Sequence, residues 1–382
     1  MGRTNIPSKR KPGEKKKPRP STKSIAAQVL QTVKNRKKRE TPEEETGLTL
    51  LPTPSSLFNC ACSDRPDGAF SLGRMVNLIG DSSSGKTLVA LSVLAEAANH
   101  PAFKEYRLIF DDVENALAFD CSYMFGEAMS CKMEPPAVDE AGAPLPSNTI
   151  EDFHCNIRDA LDEGRPFIYV LDSFDALDAE GDQKKLEEFR DARKKGNKTS
   201  GTYAMAKPKK SSELLRNICA QLKRTNSVLI IISQTRDNID PLSFEKKTRS
   251  GGRALKFYAF HEVWLAMAGK IPKRERIIGN RVQAKVSKNK LTGKLREVGF
   301  PIYYDYGVDD LASCIQFMVK EGFWKKSKLT IHAEDLNISG TQAKLIQEIE
   351  DRGLERKLRR AVGKAWLEIE EELKLNRKPK YK

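Results

Sequence analysis

Long apolar runs are absent from this chain of 382 residues, and cysteine is scarce. No window approaches eighteen uninterrupted apolar residues, so no membrane-spanning helix is predicted. The N-terminal segment is rich in Lys, Arg and Pro with no apolar stretch behind it, which argues against a secretory signal. The seven cysteines are odd in number and include no C-x-x-C pair, as expected in a reducing compartment. We therefore expect a cytoplasmic protein that does not enter a membrane.

The cysteines also lack the arrangement of a structural metal site. Cys60-Ala61-Cys62 and His154-Cys155 do not have the spacing of zinc ligands, and we expect no structural metal. What the chain does have is 39% hydrophobic residues, enough for a large core, and a net charge of +15. These values predict a soluble globular protein.

Positive charge is concentrated in the first forty residues. This segment holds fourteen Lys and Arg against Glu14 and Glu40, so it carries +12 and leaves only +3 for the remainder. Four prolines interrupt residues 1–23, which are predicted to form a disordered tail. Such a tail is attracted to polyanions in a salt-dependent way, or it is only a solvated end.

The most informative stretch is GRMVNLIGDSSSGKTLVALS, residues 73–92. A predicted strand at 75–79 leads into G-x-x-x-x-G-K-[ST], followed by a predicted helix at 88–98. This pattern predicts a phosphate-binding loop rather than an ordinary glycine-rich turn: backbone N–H groups and a helix N-terminus face the phosphates, Lys86 reaches the β/γ-phosphates, and Thr87 supplies a hydroxyl to Mg²⁺. The predicted ATP-binding residues are Gly80, Asp81, Ser82, Ser83, Ser84, Gly85, Lys86 and Thr87.

Three further apolar runs, each predicted to be a buried strand, end in polar residues. They are residues 106–110 before Asp111-Asp112-Val113-Glu114, residues 167–171 before Asp172, and residues 228–232 before Ser233-Gln234. Ligands of open α/β sheets lie outside the carboxyl ends of the strands, so a carboxylate there can face the γ-phosphate and polarise water. Helix N-capping is the alternative role for the acidic cluster. Asp172 is predicted to hold Mg²⁺.

The other segments complete an α/β pattern. Helices are predicted at 24–38, 150–161, 211–224, 253–260 and 308–320, and strands at 48–51, 261–267, 281–286 and 297–304. Residues 52–73 are predicted to form a proline-interrupted loop. The charged residues 182–210 are predicted to be either a mobile basic loop or a solvated insertion. Residues 341–375 are predicted to be helical, with breaks at Gly353 and Gly363. Helical connections between the strands predict a mostly parallel sheet.

With these motifs the chain resembles the RecA/RadA family of DNA strand-exchange ATPases, in particular the bacterial type, from about residue 48 to about residue 324. The matching segments follow the family's order: GDSSSGKT at 80–87, DVENAL at 112–117, VLDS at 170–173, IISQTR at 231–236, GGRALKFYA at 251–259 and KVSKNK at 285–290. The resemblance implies an α/β fold with a RecA-like P-loop ATPase core, an N-terminal helical arm and a small C-terminal helical domain. The expected divisions are residues 1–23 (basic tail), 24–46 (oligomerisation helix and linker), 47–308 (core) and 309–382 (C-terminal domain).

The same resemblance assigns roles around the nucleotide. It implies that Glu114 is the catalytic glutamate and that Gln234 senses the γ-phosphate and passes its state to a DNA-binding loop. Lys288 and Lys290 match a pair that completes the ATP site of the neighbouring subunit, whereas on composition alone they would be a basic stripe. The family's adenine-stacking tyrosine is shifted here, which leaves Phe119 or Tyr123 as candidates.

Two segments resemble the family's DNA-binding loops, and a third its subunit interface. The matching DNA-binding residues are Lys209, Ser212 and Arg216 in the first, and Arg236, Ile239, Gly251, Gly252 and Arg253 in the second. Ile239 matches a residue that is inserted between base steps, or it folds onto the core. Lys256 and Phe257 match the interface segment. The basic tail, the charged insertion and the basic C-terminus depart from the bacterial pattern and suit a divergent, for example phage-encoded, member.

The sequence therefore favours an ATP- and Mg²⁺-dependent recombinase that forms a helical filament on single-stranded DNA and pairs it with double-stranded DNA. A ring-shaped helicase or loading motor on the same core is the alternative, and the interface segment favours the filament. A non-enzymatic annealing or single-strand-binding protein is the third class. The complete set of Lys86, Thr87, Glu114 and Asp172 argues against it.

Overall fold

A computed structural model describes residues 49–117, 120–178, 206–237, 247–249, 252–378 and 380. Residues 49–382 cluster as one compact unit. The basic tail, the helix at 24–38, the acidic linker and nearly all of the charged insertion lie outside the described residues. Among the described residues, no helix has both the length and the apolar character to cross a bilayer.

The elements alternate between strand and helix along most of the chain. The strands are β1 Leu50–Leu51, β2 Phe70–Ser71, β3 Met75–Gly80, β4 Arg107–Asp112, β5 Met133–Glu134, β6 Phe167–Asp172, β7 Val228–Asp237, β8 Lys247–Arg249, β9 His261–Lys273, β10 Arg276–Asn289, β11 Glu297–Tyr303, β12 Gly307–Val308, β13 Lys325–Ser327, β14 Thr330–Ala333 and β15 Ile338–Gly340. The helices are α1 Ser56–Ser63, α2 Lys86–Asn99, α3 Cys121–Phe125, α4 Glu127–Ser130, α5 Ile150–Asp162, α6 Ala206–Thr225, α7 Gly252–Tyr258, α8 Asp310–Lys320, α9 Gln342–Asp351 and α10 Glu355–Glu372.

One large sheet organises these elements. Its strand order is β12-β11-β10-β9-β3-β7-β6-β4-β5, with β8 paired to β7. The strands from β9 through β3, β7, β6 and β4 to β5 are parallel, and β9 to β12 form an antiparallel extension. The predicted α/β fold with a central, mostly parallel sheet is confirmed.

Both faces of the sheet are buried because alternate residues of each central strand pack on opposite layers. In β7, Val228, Ile230 and Ile232 join the cluster that contains α2, whereas Leu229 and Ile231 join the cluster that contains α5 and α6. All five side chains are fully buried. This double coverage explains why the strand sequences are continuous apolar runs and why their polar ends mark the sheet edge.

The prediction of a loop over residues 52–73 is wrong in its centre, because α1 lies there. Ser55 caps this helix by accepting a hydrogen bond from the Phe58 N–H at 3.3 Å, and all eight helical residues are buried. Asp310 fixes the same end from a distant segment, accepting bonds from the Ser56 N–H and Oγ, both at 2.6 Å. The Pro and Ser residues that suggested a loop form the start of a buried helix.

Gly353 ends a helix as predicted, but the predicted break at Gly363 is wrong. Gly353 adopts φ +59° between α9 and α10, a conformation that favours glycine. Gly363 is buried within α10, where an added Cβ would lie 2.7 Å from Cγ of Pro66. The glycine is needed here for close packing rather than for a turn. The C-terminal remainder also contains the three-stranded sheet β13-β14-β15.

A cluster of charged side chains joins α10 to the core. Arg296 donates from Nε to Glu370 at 2.7 Å and pairs with Asp64 at 3.0 Å, and its side chain is 12% exposed. Lys294 bonds to Asp64 and Glu370, each at 2.8 Å. The Trp366 ring lies under the Arg296 guanidinium at 5.4 Å, and its indole N–H donates to Asp64 at 3.1 Å. We call these five residues the Arg296 cluster.

Candidate nucleotide and DNA site

The predicted phosphate loop connects β3 to α2 at the centre of the sheet. Gly85 has φ +86°, and a Cβ at Gly80 would clash with the Leu265 carbonyl and Ser84 Oγ, so both positions require glycine. Ser84 Oγ is buried and makes no hydrogen bond within the described part of the chain. Such a curled loop with an unsatisfied polar atom suits phosphate oxygens.

Lys86 is the first residue of α2, and its side chain is directed back into the loop. It is only 8% exposed, and its Nζ donates to the Asp81 carbonyl at 2.7 Å. Burial lowers the pKa of Lys86, while the nearby carboxylates of Asp172 and Glu114 oppose this shift. A buried ammonium at this position is stabilised by an anionic ligand.

Thr87 and Asp172, the two residues predicted to hold Mg²⁺, are in direct contact. Thr87 Oγ1 donates to Asp172 Oδ2 at 2.5 Å, across the ends of neighbouring elements. The pKa of Asp172 is raised to about 6, chiefly by burial and also by the charge of Glu114, while the hydrogen bond from Thr87 and the charge of Lys86 oppose the shift. Two adjacent oxygen ligands next to a phosphate loop match the preference of Mg²⁺.

The acidic residues at the end of β4 take three different positions, and the strand runs through Asp112 rather than ending at residue 110 as predicted. Asp111 is fully buried and accepts hydrogen bonds from Ser147 and from the Tyr169 hydroxyl, the latter at 2.6 Å. Asp112 caps the following turn through the N–H groups of residues 116 and 117. Glu114 alone is exposed at the sheet edge. The structure therefore gives Asp112 a capping geometry and leaves Glu114 facing the phosphate loop and solvent.

Glu114 is held by the ends of two other strands. The Ser173 hydroxyl, directly after β6, donates to Glu114 Oε1 at 2.5 Å. Gln234, near the end of β7, donates from Nε2 to the same oxygen at 2.8 Å. The Gln234 backbone N–H is in turn fixed by Asp175 at 2.6 Å. The predicted glutamate and glutamine are thus in direct contact.

A contact that sequence reasoning missed lies beside this one. The Thr235 hydroxyl donates to Asp81 Oδ1, so the residue after Gln234 is bonded to the phosphate loop. The sequence signal for it is weak, because a threonine after a strand is common and only the strand register brings the two residues together.

Lys288 and Lys290 lie together at the end of α7. Lys288 donates to the carbonyls of Lys256 and Phe257, the latter at 3.0 Å, and Lys290 to that of Phe257 at 3.5 Å. Lys290 lies one residue beyond β10 rather than within it, because the Asn289 side chain accepts from two following N–H groups and closes a turn. Cations at the last carbonyls of a helix are favourable. Both lysines thus contact the predicted interface segment of their own chain.

Of the remaining predicted residues, the structure describes some and not others. Ser212 and Arg216 lie on α6, Arg236 lies near the end of β7, and Gly252 begins α7. Lys209 and Arg253 lie on α6 and α7, but their side chains are not described; Ile239, Gly251 and Phe119 lie outside the described residues. Tyr123, on α3, is 75% exposed, and Phe257 is 70% exposed beside the exposed Lys256.

Comparison with known proteins identifies relatives along most of the chain. Residues 194–309 match the family described as RecA N-terminal domain. Protein RecA of Caulobacter sp. (strain K31) is 30% identical over 312 residues, covering 80% of this chain and 79% of that protein. Protein RecA of Caulobacter vibrioides (strain NA1000 / CB15N) is 31% identical over 265 residues, covering 68% and 66%. Protein RecA of Rhizobium leguminosarum bv. viciae is 28% identical over 265 residues, covering 68% and 67%.

Proposed function

This chain belongs to the RecA family of DNA recombinases, and from that premise we propose that it forms a helical filament on single-stranded DNA and catalyses homologous pairing and strand exchange, with DNA-stimulated ATP hydrolysis. The observation that carries the proposal is the meeting of the phosphate loop, Asp172, Glu114 and Gln234 at the carboxyl edge of the sheet. Four chain segments far apart in sequence converge there, as hydrolysis of a bound nucleotide requires.

ATP and Mg²⁺ are the proposed cofactors, and the residues present fit them. Phosphate oxygens would satisfy both the buried Lys86 ammonium and Ser84 Oγ. Thr87 and Asp172 are the residues that would hold the metal ion, directly or through water. When bound, Mg²⁺ supplies positive charge that neutralises charge developing on the phosphoryl oxygens.

The chain's own carboxylate and amide complete the site. Glu114 is proposed to orient a water molecule toward the γ-phosphate and to accept its proton, since it is exposed at the edge and held by Ser173 and Gln234. Gln234 is proposed to report nucleotide state, because one side chain joins Glu114 to the strand that continues into residues 238–246. Lys288 and Lys290 are proposed to act in the neighbouring subunit's site, which would make hydrolysis depend on assembly.

DNA binding is proposed for two loops, one that leads into α6 and one that follows β7. Arg216 and Arg236 are exposed cations on the described flanks of these loops, and both can contact phosphates. Sequence preference should be slight, because backbone contacts and base stacking carry little sequence information. We also propose that the chain is divided into a basic tail, an oligomerisation helix with its linker, a core and a C-terminal domain, with boundaries after residues 23, 46 and 308.

Electron microscopy of the protein with single-stranded DNA and a non-hydrolysable ATP analogue tests the proposal. We expect open helical filaments, together with DNA-stimulated ATP turnover and strand exchange in parallel assays. Lys86→Ala is the matched control and should form no ATP-dependent filament, since it lacks the phosphate-binding cation. If the protein instead forms closed rings that translocate on DNA, it is a motor and the proposal is wrong. DNA binding with no turnover would indicate an annealing protein.

A further inference from the structure

The strands that carry the phosphate loop and the predicted second DNA loop are neighbours in the sheet. β3 and β7 run parallel, with Gly80 opposite Gln234 at the last pair of their register. The next residue along each strand is therefore Asp81 on one side and Thr235 on the other. Their side chains are hydrogen-bonded, Thr235 Oγ1 to Asp81 Oδ1. Backbone register and side-chain contact thus place the same two residues together independently.

Asp81 is bonded through both its side chain and its backbone. Its carboxylate accepts from Thr235, and its backbone carbonyl accepts from Lys86 Nζ at 2.7 Å. A bound triphosphate would compete with that carbonyl for the Lys86 ammonium. Its negative charge would also repel the Asp81 carboxylate at short range. Nucleotide binding would therefore act on the contact with Lys86 and on the contact with Thr235.

Thr235 lies where a hairpin begins. β8 returns antiparallel to β7 with Thr235 opposite Arg249, and the pairing continues to Asp237 opposite Lys247. Residues 238–246 connect the two strands and include Ile239 of the predicted DNA loop. The base of this hairpin is thus fixed to the phosphate loop through Thr235, whereas the adjacent Gln234 is fixed to Glu114.

We propose that Thr235 is a positioning residue: its bond to Asp81 holds the base of the β7–β8 hairpin to the phosphate loop in the nucleotide-free protein, and nucleotide binding releases it. This is a second connection between the nucleotide and DNA sites, separate from the Glu114–Gln234 contact. The inference rests on the proposed function, because the hairpin matters only if its loop binds DNA. Energetic coupling between two binding sites is reciprocal, so the same bond transmits the effect of each ligand to the site of the other.

The sign of the effect follows from the geometry. Thr235→Val keeps the shape of the side chain and removes the donor, so the hairpin is released without nucleotide. DNA affinity of the nucleotide-free protein should rise, while affinity with nucleotide changes little. The ratio between the two affinities should shrink about fivefold or more, the range usual for coupled sites. Thr235→Ser keeps the hydroxyl and should restore the wild-type ratio, which a purely structural role of the methyl group would not produce.

The experiment is fluorescence anisotropy of a labelled oligo(dT) strand, titrated with protein alone and with protein plus a non-hydrolysable ATP analogue. The double variant Thr235→Val/Asp81→Ala is compared with Thr235→Val alone. The ratio of DNA affinities with and without nucleotide should differ by no more than about twofold between these two variants, because the two substitutions remove the same bond. If nucleotide raises the DNA affinity of the wild type and raises that of Thr235→Val by the same factor, the inference is overturned and the proposed function stays intact. A wild-type DNA affinity that does not respond to nucleotide overturns the proposed function and this inference with it.

Discussion

The Gln234 side chain donates to Glu114 at 2.8 Å, although the two residues are 120 positions apart in the chain. The contact exists because β4 and β7 end at the same edge of the sheet, on either side of β6. One carboxylate oxygen accepts from both Gln234 and Ser173, which fixes the orientation of the group. The position of the Glu114 carboxylate is therefore set by donors from the ends of two other strands.

Glu114→Gln should bind ATP and DNA but lose about 10² or more of its turnover, because an amide cannot accept the proton of the attacking water. ATP hydrolysis at saturating DNA measures the loss, and nucleotide and DNA binding are measured alongside. Glu105→Gln, at an exposed position distant from the edge, is the control and should hydrolyse ATP normally. Unchanged turnover in Glu114→Gln would contradict the assignment.

Replacement of both Lys288 and Lys290 by Ala should leave nucleotide binding to a monomer nearly intact while removing DNA-stimulated hydrolysis and the ATP-dependent filament. Each lost charge-assisted contact costs about 1.5 to 3 kcal/mol. Activity of the wild type should rise with protein concentration if, as proposed, each site is completed by its neighbour. Lys285→Ala, at an exposed lysine of β10, is the control for loss of a positive charge on the same strand and should leave these activities unchanged.

A mixture of the Lys288/Lys290 double variant with Lys86→Ala tests action between subunits. Some interfaces in a mixed filament combine an intact phosphate loop from one subunit with intact lysines from its neighbour, so partial activity should return. Co-assembly is checked by labelling each variant with a different fluorophore. Mixed filaments that form and remain inactive would show that the lysines do not act across the interface.

Deletion of residues 1–23 should flatten the salt dependence of DNA binding. The segment carries nine Lys and Arg, and each phosphate contact on a single strand contributes about 0.7 to the slope of log affinity against log salt. The slope is measured by anisotropy over a range of NaCl concentrations. A slope identical to that of the full chain would assign the tail to something other than DNA.

Gly363→Ala should destabilise the fold, although Gly→Ala within a helix usually stabilises it by about 1 kcal/mol. The new Cβ would lie 2.7 and 2.9 Å from ring atoms of Pro66, and overpacking costs about 1 to 3 kcal/mol. Urea denaturation measures the change. Lys364→Ala, an exposed neighbour in α10, should stay within about 0.5 kcal/mol of wild type. Pro66→Ala in the Gly363→Ala background should recover part of the loss, and no recovery would argue against the clash.

Stability should fall between pH 7 and pH 5 through His261. This side chain is fully buried between the rings of Phe70 and Phe260, and burial lowers its pKa from 6.5 to about 4. The unfolded chain therefore binds a proton below pH 6.5 that the folded chain does not bind until about pH 4, so stability is lost as the pH falls across this interval. The contribution between pH 7 and pH 5 is about 2 kcal/mol. His261→Phe should lose correspondingly less stability over the same interval in urea denaturation.

The central strands and the site edge were predictable from sequence because burial on both faces demands continuous apolar runs. Residues 228–232 are five consecutive apolar residues, and all of them are buried in β7. The neighbouring strands of the sheet show the same pattern. Parallel strands place their carboxyl ends at one edge, which brought Asp172, Glu114 and Gln234 together in the prediction. The distances among them needed the structure.

The missed features depend on long-range packing. Helix α1 is short and buried on all sides, so it shows no amphipathic period, and its capping by Asp310 joins positions 254 residues apart. In the sequence Gly363 suggests a break in the helix, whereas in the structure it allows Pro66 to pack closely against α10. The Thr235–Asp81 bond depends on strand register, and no short motif records register.

The Arg296 cluster sets a limit on how far this chain can be trimmed. Residues 373–378 are exposed, and their removal leaves the cluster intact. A cut by a protease before Trp366 would remove the indole ring and Glu370 together, and would leave a largely buried guanidinium with Asp64 as its remaining partner in the cluster. A charge left in this way is strongly destabilising. Resistance of the α10 backbone to proteolysis would therefore report whether α10 is still packed against Asp64 and Arg296.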